Sequence, residues 1–204
     1  VIQGFGAVGK NTARFLTDNG AVLVGAADSR GAIHDPDGLD VTALSDIKAG
    51  GGALDDYGYA TQLDRDEVID IDCDIWIPAA RPDVINEDNV DRLKTKLVIE
   101  GANIPITAAA EAKLEQRGIL CVPDFIANAG GVICAAMEYH GASEGMVLQT
   151  IGEKLRRKTR QVLEDASIRG ISPREAAVEL ALTRVRKAMS YRRYALFSTA
   201  PGFV

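Results

Sequence analysis

Residues 1–9, VIQGFGAVG, decide how this chain is read. An apolar start runs into three glycines at GxGxxG spacing, and KNTARFLTDNG follows with helical character. Ala13 and Leu16, joined by Thr12 and Phe15, supply an inner face for that helix, and Gly20 supplies its stop. Glycines in this position let the backbone leave a strand, pass close to an anion and enter a helix whose first amides point at it. The pattern also needs an acid about twenty residues on, at the end of a second strand. Asp28, closing the run AVLVGAAD, meets that need. The unit therefore reads as strand, turn, helix, strand and acid. Gly4, Phe5, Gly6, Ala7, Val8 and Gly9 form a pyrophosphate turn, and Asp28 meets the ribose of a dinucleotide.

Which dinucleotide depends on three consecutive residues. A carboxylate at position 28 accepts hydrogen bonds from both ribose hydroxyls of NAD and repels the extra phosphate of NADP, so NAD is favoured. Ser29 and Arg30 leave NADP possible, because a hydroxyl and a guanidinium could hold a 2′-phosphate if the acid turned away. The plainer role for Arg30 is an exposed loop charge.

With 204 residues, 47% hydrophobic and 25% charged, the chain can bury one large domain, or one domain with a helical extension. A net charge of −6 argues against a general nucleic-acid surface. The basic stretch Lys154, Arg156, Arg157, Lys158 and Arg160 reads as a solvated helix face. No long apolar segment or signal-peptide pattern is present, so no membrane partner is expected. Cys73, Cys121 and Cys134 are odd in number, far apart and without CxxC spacing, which fits reduced thiols in a cytoplasmic protein. His34 falls in the polar segment HDPDGLD and reads as a loop residue. His140, beside Gly141, reads as a helix end. Neither belongs to a metal-binding pattern, and no GxSxG elbow is present.

Farther along, Asp28 to Leu39 is turn-rich, DVTALSDIKAGG can form a short helix, and DYGYATQLDRDEVIDIDCD does not resolve into an element. DIWIPAA, LKTKLVIEGAN and ILCVPD are compact apolar runs of the kind buried in parallel sheets, with TAAAEAKLEQRG as a connecting helix. This alternation predicts an α/β, Rossmann-type doubly wound fold with a mostly parallel sheet, residues 1–128 forming its βαβ core. Its ligands sit beyond the carboxyl ends of the strands. That rim comprises Ala79 and Ala80, Gly101 to Asn103, and Asp124 to Gly131. Residues 129–204 read as a helical extension, with helices over 129–140, 144–169 and 173–190. Pro173 marks a sharp helix start. An apolar face at Ala177, Leu180, Ala181, Val185, Ala188 and Met189 wants a partner surface.

GFGAVG, DSRGAIHDPDGLD, VIEGANIPIT, VPDFIANAGGV and REAAVELALTRVRKAM together resemble the coenzyme-binding domain of the glutamate, leucine, phenylalanine and valine dehydrogenase family, glutamate dehydrogenases above all. The resemblance covers nearly the whole chain. It implies that Ala79 and Ala80 flank the cofactor near its ribose and pyrophosphate, that Asn103 contacts the nicotinamide half, and that Asn128 lies where nicotinamide and amino acid meet. Gly131 and Ala135 fall on the substrate side. The implied reaction oxidises an amino acid to its imino acid with hydride transfer to nicotinamide, then releases ammonia and the oxo acid.

In that family an upstream domain carries the substrate-binding lysines and a proton-moving aspartate, and it makes most of the oligomer contacts. This chain begins at the second domain. The upstream domain is thus expected to be absent, with no catalytic residue and no metal in the chain, and amino-acid binding only when that domain is supplied. The full-length protein is expected to be a homo-oligomer. One position departs from the pattern: glutamate-specific members carry a serine four residues after NAGG, and here it is Ala135, which leaves a less polar amino acid open. A dinucleotide-sensing module without turnover, or an assembly role for the 173–190 face, are the competing readings. The segment YRRYALFSTAPGFV is expected to be partly mobile.

Overall fold

In the computed structural model, residues 1–192 are described, so the expectation for the tail beyond Arg192 lies outside the described residues. Seven short strands form one sheet: β1 (Ile2–Gln3), β2 (Gly25–Ala27), β3 (Ala32–His34), β4 (Thr61–Leu63), β5 (Ile75–Pro78), β6 (Leu97–Ile99) and β7 (Leu120–Val122), in the order β4-β3-β2-β1-β5-β6-β7. The five strands from β2 to β7 are parallel, as the apolar runs require. Two antiparallel strands extend the sheet beyond β2.

That extension originates at Asp28. Its Oδ1 accepts from the Arg30 amide at 2.8 Å while its own amide donates to the Gly31 carbonyl at 2.9 Å. An aspartate side chain closing on a backbone amide two residues on is a strong turn former. The chain reverses over Ser29 and Arg30, and β3 returns beside β2. His34 is consequently a strand residue, correcting the loop assignment, and its Nδ1 lies 2.8 Å from the Val24 carbonyl.

Helices cover both faces: α1 (Ala7–Asp18), α2 (Val41–Ala49) and α3 (Ala108–Gln116). Alternate strand residues sort between two cores. Ile2, Ala26, Ile33 and Ile77 pack with Ala13 of α1 and Leu44 of α2. Ala27, Ala32, Trp76 and Val98 pack on the other face with Ala110 and Leu114 of α3. Phe15, expected on the inner face of α1, is instead 57% exposed, because Gly9 and Ala13 are the residues that α1 buries.

The rest is helical: α4 (Asp124–Ala127), α5 (Gly130–Tyr139), α6 (Glu144–Arg169) and α7 (Pro173–Arg192). The third rim loop is thus mostly helix, since α4 begins directly after β7. At the start of α7, Ser172 Oγ accepts from the Glu175 amide at 3.1 Å and Glu175 Oε2 from the Ser172 amide at 3.0 Å, a reciprocal cap behind Pro173. Of the apolar face expected on α7, Ala177 is buried and Leu180 partly covered against α4 and α6, whereas Val185 and Met189 are exposed. Among the described residues no helix is long and apolar enough to cross a membrane.

Candidate functional site

The carboxyl ends of β1, β2, β5, β6 and β7 open on one rim, with the glycine turn at its centre. Each glycine there has its own reason. Gly4 stands at φ +102°, and a Cβ on it would meet the Cβ of Ala80 at 2.6 Å. A Cβ on Gly9 would lie 1.9 Å from the Gly4 carbonyl oxygen. Gly6 is different, for no atom of the chain comes within 4 Å of the place a Cβ would take. Gly4 thus makes the turn, Gly9 brings α1 against it, and Gly6 leaves space above it. Those are the three roles a dinucleotide turn assigns to its glycines. Phe5 is buried beneath the turn, while Ala7 and Val8 are exposed at the first turn of α1, whose start has no side-chain cap. Helix amides without such a cap, beside open space, are suited to an anion such as pyrophosphate.

Ala79 and Ala80 follow β5, the amide of Ala79 donating to the Gln3 carbonyl at 2.7 Å. Gly101 lies close to Val8 and Ala79, so the loop after β6 is drawn against the phosphate turn. Beyond it, Asn128 Nδ2 donates to Asn103 Oδ1 at 2.8 Å, joining two residues that belong to different loops. Gly131 and Ala135 lie exposed on α5, on the helical extension rather than the sheet rim.

At the other end of the rim Asp28 is not a free acceptor. Its side chain is 6% exposed, and its Oδ2 accepts from Lys48 Nζ of α2 at 2.7 Å and from the Leu54 amide at 3.1 Å. Oδ1 is taken by the turn amides. Burial pushes the carboxyl up, but Lys48 and the amides of Arg30 and Leu54 outweigh it and hold Asp28 below its ordinary range. Ser29 and Arg30 are exposed beside this pair. Lys48 was not legible as a site residue, because it lies on a separate helix and carries no local motif.

A second charged group lies under the part of the rim that carries Asn103 and Asn128. Glu100, fully buried at the end of β6, receives Arg174 Nη2 of α7 at 2.7 and 2.9 Å. Arg174 Nε also donates to Glu111 of α3, and its Nη1 lies 3.6 Å from Asp124 Oδ1 of α4. Burial pushes Glu100 up to about 7 against the pull of Arg174, with Glu111 and Asp124 adding to the rise, and burial also raises Glu111. Three carboxylates thus share one guanidinium. The only sequence signal was Glu100 itself, an acid closing an apolar strand, which requires a partner somewhere.

An acid whose folded pKa exceeds its unfolded value binds its proton more tightly when folded. The stability it adds is therefore present at low pH and lost as pH rises toward 7. Unfolding free energies from urea titrations are expected to fall from pH 5 through 6 to 7, by at most about 1.4 kcal/mol per pH step from Glu100, and to level off by pH 8. Glu100→Gln cannot titrate and should flatten the slope. Parallel slopes for the two proteins would rule out Glu100 as the titrating group.

Comparison with known proteins matches residues 1–193 to the model described as Glutamate/Leucine/Phenylalanine/Valine dehydrogenase. The NAD-specific glutamate dehydrogenase of Staphylococcus aureus is 39% identical over 201 residues, covering 96% of this chain and 48% of that protein. The NADP-specific glutamate dehydrogenase of Saccharolobus shibatae is 40% identical over 148 residues, covering 72% of this chain and 35% of that one. Among solved structures, the hetero-hexameric glutamate dehydrogenase of Thermus thermophilus superposes with a TM-score of 0.84 at 28% identity, over 97% of this chain and 48% of that one. The chain spans about half the length of the first of these relatives.

Proposed function

From the premise that this chain belongs to the glutamate, leucine, phenylalanine and valine dehydrogenase family, as a coenzyme-binding domain closely related to that of glutamate dehydrogenases, we propose that it serves an enzyme oxidising L-glutamate to 2-oxoglutarate and ammonia. The observation that carries the coenzyme site is the division of labour in the glycine turn: Gly4 and Gly9 are filled from within, and Gly6 is open. The nicotinamide, when bound, accepts the hydride. This chain's residues hold it: the amides at Ala7 and Val8 meet the pyrophosphate, Ala79 and Ala80 flank it, and Asn103 and Asn128 hold the nicotinamide end. The substrate-binding and proton-moving side chains come from the remainder of the whole protein, a cytoplasmic homo-oligomer, and this half alone does not turn substrate over. Ala135 favours one further reading, a less polar amino acid, since it offers no hydroxyl to a side-chain carboxylate.

The ion pair at the ribose end bears on coenzyme choice. With all its acceptor positions engaged and Lys48 cancelling its charge, Asp28 neither reaches a ribose readily nor repels a 2′-phosphate strongly. Both NAD and NADP are therefore accepted, the phosphate of NADP lying against Ser29, Arg30 and Lys48. Calorimetric titrations with NADH and NADPH test this. Both are expected to saturate, and Lys48→Met should weaken NADPH about tenfold, the scale of one partly exposed charge-assisted contact, while leaving NADH within about threefold. Unchanged NADPH affinity in the variant would remove Lys48 from the phosphate site. Binding of neither nucleotide would overturn the coenzyme reading.

A further inference from the structure

Ile104 is β-branched, 64% exposed and held at φ +50°, a conformation such residues avoid. Nothing in an exposed isoleucine favours that backbone, so it must be imposed. Two bonds impose it: the Asp83 amide donates to the Ile104 carbonyl at 3.0 Å, and the Ile104 amide donates to Asp124 Oδ2 at 2.8 Å. Asp124 is itself 8% exposed and is held twice more, its amide donating to Glu100 Oε2 at 3.3 Å and its Oδ1 facing the Arg174 guanidinium. The Asn128 amide donates to the Asp124 carbonyl at 2.7 Å, and Asn128 then reaches Asn103. The path from Arg174 therefore ends on both asparagines of the rim.

We propose that Arg174 is a positioning residue for the nicotinamide end of the coenzyme: by gathering Glu100, Glu111 and Asp124 it holds the Gly101–Ile104 loop in its strained form and so fixes Asn103 and Asn128. This rests on the reading of that rim as the nicotinamide end. A planar guanidinium faces three carboxylates from three different elements with three separate nitrogens held in a fixed fork, a geometry that the single nitrogen of an ammonium does not reproduce. Arg174 lies in the first turn of α7, so the helical extension sets the geometry of a loop on the sheet.

Two ligands separate the halves of the site: NADH, and ADP-ribose, which lacks the nicotinamide. In the full chain, Arg174→Gln is expected to weaken NADH about tenfold while leaving ADP-ribose within about twofold. Adding Ile104→Gly should restore most of the NADH affinity, because glycine adopts positive φ without being forced. A residue that merely supports the fold would weaken both ligands together and would not be rescued by a glycine at 104. Equal weakening, no weakening, or failure of the rescue each overturns the role of Arg174. If Arg174→Gln is unfolded, the same ratio is read on Arg174→Lys; if that is also unfolded, Arg174 is structural and the proposal fails. Absence of binding of both ligands to the unaltered chain would instead strike the coenzyme reading, and this proposal with it.

Discussion

Gly9→Ala is expected to lower the unfolding midpoint by about 4–8 °C. Two effects oppose each other at this position. Within a helix, alanine is favoured over glycine by up to about 1 kcal/mol. Against that, the new Cβ would stand 1.9 Å from the Gly4 oxygen, 3.0 Å from the Gly4 carbonyl carbon and 3.0 Å from Ile2 Cγ2. The first two are backbone atoms of the same turn and cannot rotate away. Ile2 is 1% exposed in the core under α1, so it has little room to yield. Relief requires lifting the start of α1 off β1, which opens the contact between Ala13 and the sheet. Overpacking costs of about 3 kcal/mol or more then outweigh the propensity gain, and in a domain of this size each kcal/mol moves the midpoint by about 2–4 °C. Thermal unfolding followed by circular dichroism reads the result. A variant that melts with the unaltered protein would mean that α1 does not approach β1 as closely as described.

The parts of this molecule that could be read from sequence are those whose causes are local. The glycine turn declares itself within nine residues, where Gly4 stands at positive φ and Gly9 meets the Gly4 carbonyl, and β5, β6 and β7 are apolar runs because both faces of a parallel sheet are covered. The long helices α6 and α7 have few breakers, and Pro173 states where the second begins. What escaped detection depends on partners far away in sequence. Lys48 finds Asp28 across 20 residues and Arg174 finds Glu100 across 74, and neither pair leaves a pattern around itself. The strands β3 and β4, at one end of the sheet, escaped for another reason. Both are three residues long, too short for alternation to show, and the hairpin that creates β3 is formed by the aspartate whose position had suggested a ligand. Asp28 meets two descriptions, ribose acid and turn former, and only the hydrogen bonds reveal that Oδ1 is spent on the turn and Oδ2 on Lys48 and the Leu54 amide.

Gly6→Ala is expected to do the reverse of Gly9→Ala: leave the fold in place and abolish most coenzyme binding. Gly6 lies at φ −89° and ψ −156°, a backbone any residue can adopt, and an added Cβ meets no atom of the chain within 4 Å. Alanine is a poorer residue than glycine just ahead of a helix by about 0.5–1 kcal/mol, and the smaller conformational freedom of alanine in the unfolded chain offsets a similar amount. The unfolding midpoint should therefore stay within about 2 °C of the unaltered protein. The space the methyl would occupy is nevertheless the space above the first amides of α1, where the backbone must approach a pyrophosphate closely. A methyl there holds the phosphates off the amides at Ala7 and Val8, and a loss of about a hundredfold in NADH affinity follows if two charge-assisted bonds are stretched beyond use. ADP-ribose should lose as much, because it carries the same pyrophosphate, and this distinguishes the variant from Arg174→Gln, which spares that ligand. Retained affinity for both ligands in a folded Gly6→Ala protein would place the pyrophosphate elsewhere. With Gly9→Ala as the structural counterpart, the two substitutions separate the glycine that the fold needs from the glycine that only a ligand needs.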